Sequence, residues 1–137
     1  MKSILALVGL ALSSAALAKP VVSGELLLPK SLNEKAKGIR TIFISIQDPK
    51  AASPMPCAAQ KFTIDKDAEG TFLKFTLDTD SLMMMACPTV PEVMSLKVKL
   101  DKDGSAGRDS AGDIVGVAQK VKKGATNVKV ILDKASE

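Results

Sequence analysis

Apolar and polar residues alternate along much of this chain. From Arg40 to Gln47, Ile42, Ile44 and Ile46 fall on one side of an extended segment, with Thr41, Phe43 and Ser45 on the other. That period of two is the mark of a strand with one buried face. It also predicts strands over Ala59–Asp65, where Phe62 and Ile64 share a face, and over Thr71–Asp78, where Leu73, Phe75 and Leu77 point inward. Met94, Leu96, Val98 and Leu100 alternate with Ser95, Lys97 and Lys99, the pattern of a half-buried, edge-tolerant strand. Val21–Leu28, Ile114–Gln119 and Asn127–Asp133 complete the set, the last with Val128, Val130 and Leu132 inward. Ser31–Gly38 reads either as one helical turn, with Ser31 as N-cap and Glu34 closing a capping box, or as a polar connector.

Seven short strands separated by turn signals predict an all-β fold, an antiparallel seven-stranded sandwich. The pattern fits an immunoglobulin-like and a cupredoxin-like arrangement alike. Phe43 and Phe72 lie opposite the clearer apolar stripes of their strands. Either both faces of those strands are covered, or the two rings contribute to an interface.

The amino-terminal segment follows a different rule. Lys2, the apolar run Ile4–Leu12 and the small-residue ending Ala16-Leu17-Ala18 have the layout of a secretory signal peptide over residues 1–18. The run is shorter than the roughly 20 apolar residues a bilayer span requires. Residues 19–137 are then expected to form one exported domain, periplasmic or secreted, with no membrane span after cleavage.

Charge excludes more than it assigns. The net charge is +4, the lysines are scattered, and no aromatic residues sit among them to stack bases, so no nucleic-acid partner is expected. The chain has no His, Trp or Tyr, and no nucleophile-elbow, phosphate-loop or metalloprotease motif. Acid–base chemistry would fall to Asp, Glu, Lys or Cys, and a non-catalytic binding module is expected instead of an enzyme. The stretch from Asp101 to Asp109 superficially resembles a calcium loop. It lacks the third alternating oxygen ligand and has Gly112 where the closing Glu would stand, so a solvated hairpin is expected.

The remaining chemistry is sulfur chemistry, held in two loops. Cys57 and Cys87 are an even pair in a chain read as exported, so a disulfide is expected. Closing a loop of that size would stabilise the fold by about 3–4 kcal/mol on the chain-entropy model. Met55, Met83, Met84 and Met85 flank the two cysteines. As unbranched, polarizable side chains they suit either a core gap or an adaptable contact surface for a protein partner, and the contact surface is the expected site. The alternative is a Cu(I) site, in which Met55, Met83 and Met85 supply soft thioether donors and no other cofactor is expected. If Met83–Met85 is extended, Met83 and Met85 point the same way, and a disulfide would bring Met55 towards them. Without histidine, a His₂Cys blue-copper centre is excluded.

The order of these features resembles the C-terminal, immunoglobulin-like periplasmic domain of CcmI/CycH-type cytochrome c biogenesis proteins. The stretches that carry the resemblance are Ser23-Gly24-Glu25-Leu26 with Leu28-Pro29, Thr41-Ile42-Phe43-Ile44, Ser53-Pro54-Met55-Pro56 and Phe75-Thr76-Leu77-Asp78. They continue with Asp80-Ser81-Leu82-Met83-Met84, the alternating strand to Leu100, Lys102 to Ala106, and Gly112-Asp113-Ile114. In that family the domain follows a membrane segment and a helical repeat region that recognises apocytochrome c. The resemblance implies a free-standing, exported relative of the domain with a protein partner and a link to cytochrome c assembly. Cys57 departs from the family pattern, in which an aliphatic residue is common, whereas the methionine-rich segment belongs to it.

Overall fold

The computed structural model describes residues 20–51, 55–104 and 108–136; the leader segment 1–18, Ser53, Pro54 and residues 105–107 lie outside the described residues. The strands are β1 (Pro20–Leu28), β2 (Thr41–Gln47), β3 (Ala58–Thr63), β4 (Gly70–Asp78), β5 (Met83–Met84), β6 (Val93–Asp101), β7 (Ile114–Lys122), β8 (Val128–Ile131) and β9 (Lys134–Ala135). A 3-10 turn at Lys30–Leu32 and a single helical turn, α1 (Asn33–Ala36), join β1 to β2. Neither turn has a side-chain cap, and Ser31 lies within the first of them, so the expected capping box does not form. Gly38 ends this stretch at φ 81°, and its N–H donates to Asp67 at 3.0 Å.

Two sheets pack face to face as the expected sandwich, one in the order β4-β1-β8 and the other in the order β5-β3-β2-β6-β7-β9. The seven principal strands are those the alternation predicts; β5 and β9 are two-residue additions. Two features depart from expectation. β1 pairs with β4 and, in parallel, with β8, instead of neighbouring β2 as the first strand of an immunoglobulin domain does. β6, expected to tolerate an edge, lies in the interior of its sheet between β2 and β7.

The core lies between the sheets. Leu26, Phe75, Leu77 and Val130 from one sheet meet Ile42, Ile44, Ile46, Leu96, Val98 and Leu100 from the other. β8 comes close to both β1 and β7 because of two glycines: a Cβ at Gly24 would overlap the Val128 carbonyl, and one at Gly116 the Ile131 carbonyl. Two bulges between β1 and β4 explain breaks in the alternation. Val21 is an extra residue opposite β4, so both Val21 and Val22 are buried. Phe72 is the extra residue opposite β1, which packs both Phe72 and Leu73 against the core and answers the question its position raised.

Candidate functional site

The outer face of the six-stranded sheet carries the site. Because β2, β3 and β6 bury their alternate residues, the side chains left outside fall into rows set by the register. One row runs Met83, Ala59, Ser45, Lys97, Val117 across five strands, and the next runs Lys61, Phe43, Lys99, Val115. Over these rows lies a groove of about 590 Å³. Its apolar part comes from Phe43, Met55, Pro56, Ala59 and Met85, and its polar part from Ser45, Gln47, Lys97, Lys99, Arg108 and Asp109.

One wall is held by sulfur. Cys57 and Cys87 form a disulfide with Cα atoms 4.6 Å apart. Backbone bonds extend the pairing past the strand ends: Cys57 N–H donates to Ile46 at 2.8 Å, Met85 N–H to Cys57 at 2.8 Å and Ala86 N–H to Pro56 at 3.2 Å. The methionines therefore sit on a fixed edge. Met55 and Met85 both line the groove. Met83 stands in the same outer row, opposite Ala59, and is 68% exposed, but it is not part of the groove lining. Met84 pairs with Ala58, whose side chain points to the core, and so belongs to the other face at the sheet's edge. Met94, by contrast, is fully buried in the core.

The other wall is held by charge. The Asp101–Asp113 connection, expected to be a solvated hairpin, is pinned at both ends by buried carboxylates. Asp113 accepts from Lys102 N–H at 2.9 Å, Ser110 N–H at 2.8 Å and Ser110 Oγ at 3.3 Å. Asp101 Oδ1 accepts from Asp103 N–H and Gly104 N–H, each at 3.1 Å. Burial raises the Asp101 pKa above its usual 3.8, reinforced by Asp103 and Asp113 and opposed by Lys99. Lys99, read from sequence as an outward, polar position, is only 6% exposed, with Arg108 and Asp109 folded against it. Its Nζ lies 3.6 Å from Asp101 and 3.7 Å from Asp109, and donates to the Arg108 carbonyl at 3.4 Å. Lys97 pairs with the other oxygen of Asp109 at 2.9 Å.

The groove combines an adaptable apolar wall with a cationic one. Asp48, Cys57 and Cys87 place a carboxylate oxygen and two sulfurs close together, but the sulfurs are joined to each other and Asp48 already accepts from Lys50 N–H at 2.9 Å. A disulfide sulfur is not a thiolate ligand. Among the described residues, the soft-metal donors on this face are therefore the thioethers of Met55 and Met85, with Met83 at the edge of the same face opposite Ala59. A second hollow, of about 830 Å³, lies beside the β3–β4 connection. Its Asp67 is engaged structurally, 3.0 Å from Arg40 and bonded to Gly38 N–H.

Sequence reasoning named the methionines and cysteines but missed Arg108, Asp101 and Asp113. Phe43 was legible as an aromatic on the wrong face of its strand, and it is the ring in the groove floor. Among the described residues, no helix is long and apolar enough to cross a membrane. No family model, curated protein or solved structure matches this chain. The fold and site define a disulfide-stapled, all-β sandwich with a methionine-edged groove on one outer face.

Proposed function

We propose that this chain is an exported, non-catalytic binding module, working in a periplasm or outside the cell, that receives an apolar segment of a protein partner. The observation that carries the reading is that Met55 and Met85 share one surface groove with Phe43. Flexible thioethers beside a fixed ring suit recognition of varied apolar side chains. The disulfide supports an oxidising compartment. The resemblance to the CcmI/CycH-type domain makes a haem-free cytochrome c chain the partner to try first, in a role akin to a chaperone.

The test is binding of haem-free and of folded, haem-loaded cytochrome c to the disulfide-bonded chain and to its Met55→Ser/Met85→Ser variant. Capture of the haem-free form alone, lost in the variant without loss of thermal stability, is expected. Equal capture by the variant would remove the groove from the function. A second reading, Cu(I) buffering, is favoured by the same juxtaposition of Met55 and Met85, with Met83 adding a third donor. It requires stoichiometric Cu(I) uptake with the disulfide intact, abolished in the methionine variants.

A further inference from the structure

We infer that the groove takes a short, extended peptide of about four residues, apolar at the methionine wall and carrying an acidic side chain that Arg108 receives. This rests on the binding-module reading and names what such a module would hold. The groove crosses from the β5 edge over β3 and β2 to β6, three strand spacings of about 4.8 Å each, or about 14 Å. Extended chain covers that distance in about four residues.

The floor's polarity separates a peptide from an acyl chain. Ser45 and Gln47 line the groove, and among the described residues neither side chain has a hydrogen-bond partner. Main-chain amides of a bound peptide would satisfy them, whereas a hydrocarbon tail would cover them unpaired. Charge then sets the direction. Lys97 is held by Asp109 at 2.9 Å, and Lys99 stands between Asp101 and Asp109. Arg108 has no ion pair among the described residues, so it is the cation left for a ligand, and its planar fork matches a carboxylate.

Because the chain has no Trp or Tyr, a single tryptophan in a probe peptide reports binding without background. The probes are acetyl-Trp-Leu-Leu-Glu-amide and acetyl-Trp-Leu-Leu-Gln-amide, titrated with the disulfide-bonded chain, its Arg108→Gln variant and its Met55→Ser/Met85→Ser variant. The expected result is that the Glu peptide binds about fivefold tighter than the Gln peptide, a gap that narrows with salt. Arg108→Gln should erase that gap, and the methionine variant should weaken both peptides. Equal binding of the two peptides to the unaltered chain, still weakened in the methionine variant, would overturn this inference while leaving the binding module standing. Failure of both peptides to bind, with haem-free cytochrome c captured, would likewise overturn it. Failure of all three ligands would sink the binding-module reading as well. Displacement of the Glu peptide by dodecanoate at lower concentration than by unlabelled peptide would assign the groove to acyl chains and overturn the peptide inference.

Discussion

Two irregular segments face each other across the groove, and they are fixed by opposite means. The methionine wall is held by a covalent bond between Cys57 and Cys87 and by backbone pairing along β3 and β5. The cationic wall is held by Asp101 and Asp113, two buried carboxylates that accept backbone donors from their own loop. The first anchor is sensitive to reductant; the second is sensitive to pH through Asp101. Each wall places different chemistry at the groove: thioethers on one side, a guanidinium and two lysines on the other. An adaptable apolar surface and a cationic one are thus supplied by separately anchored parts.

The disulfide is the stronger of the two anchors. Replacing both Cys57 and Cys87 by Ala should lower stability by about 3–4 kcal/mol, read by urea denaturation followed by far-ultraviolet circular dichroism. The cationic wall comes next. Asp113→Ala strands three donors, two of them backbone N–H groups, and should cost about 2–3 kcal/mol in the same assay, with or without reductant.

Asp101 separates the two anchors by pH. Burial favours its protonated form in the folded chain, so between pH 3.8 and the raised folded value the folded state holds a proton that the unfolded state has released. Its contribution is therefore complete below pH 3.8 and is lost as pH rises through the raised folded pKa. Asp101→Asn should flatten this part of the stability profile, measured as the difference between variant and unaltered chain from pH 4 to 7. Removing the disulfide should leave that difference in place. The smallest effect is expected at the methionines. Met83→Ser and Met85→Ser, both at exposed positions, should each change stability by less than about 0.5 kcal/mol. A loss of several kcal/mol would place them in the core instead of on a contact surface.

The covalent wall was legible in the sequence and the charged wall was not. Cysteine pairing and methionine clustering are properties of residue type, visible without coordinates. The seven principal strands were legible for a similar reason, since alternation at Ile42, Ile44 and Ile46 or at Met94 to Leu100 reports burial directly. Asp101 and Asp113 have the composition of a solvated turn and Lys99 that of an outward strand position, and only the placement of Arg108, Asp109 and Asp113 against the end of β6 makes them interior. Lys120 illustrates the same limit. It takes a positive φ of 55° where β7 carries an extra residue opposite β6, and nothing in its neighbours marks the bulge. The bulges at Val21 and Phe72 likewise depend on how β1 meets β4, a pairing between residues distant in the chain.

The most direct test of the central claim, that the face between these walls is the binding surface, is methyl NMR of the chain with carbon-13-labelled methionine methyl groups. Met94, sealed in the core, serves as the internal reference. On titration with acetyl-Trp-Leu-Leu-Glu-amide, the methyl signals of Met55 and Met85 should move together and saturate, that of Met84 should move less, and that of Met94 should stay in place. Saturating shifts confined to other methionines, or no shift at Met55 and Met85 while the peptide binds, would contradict it.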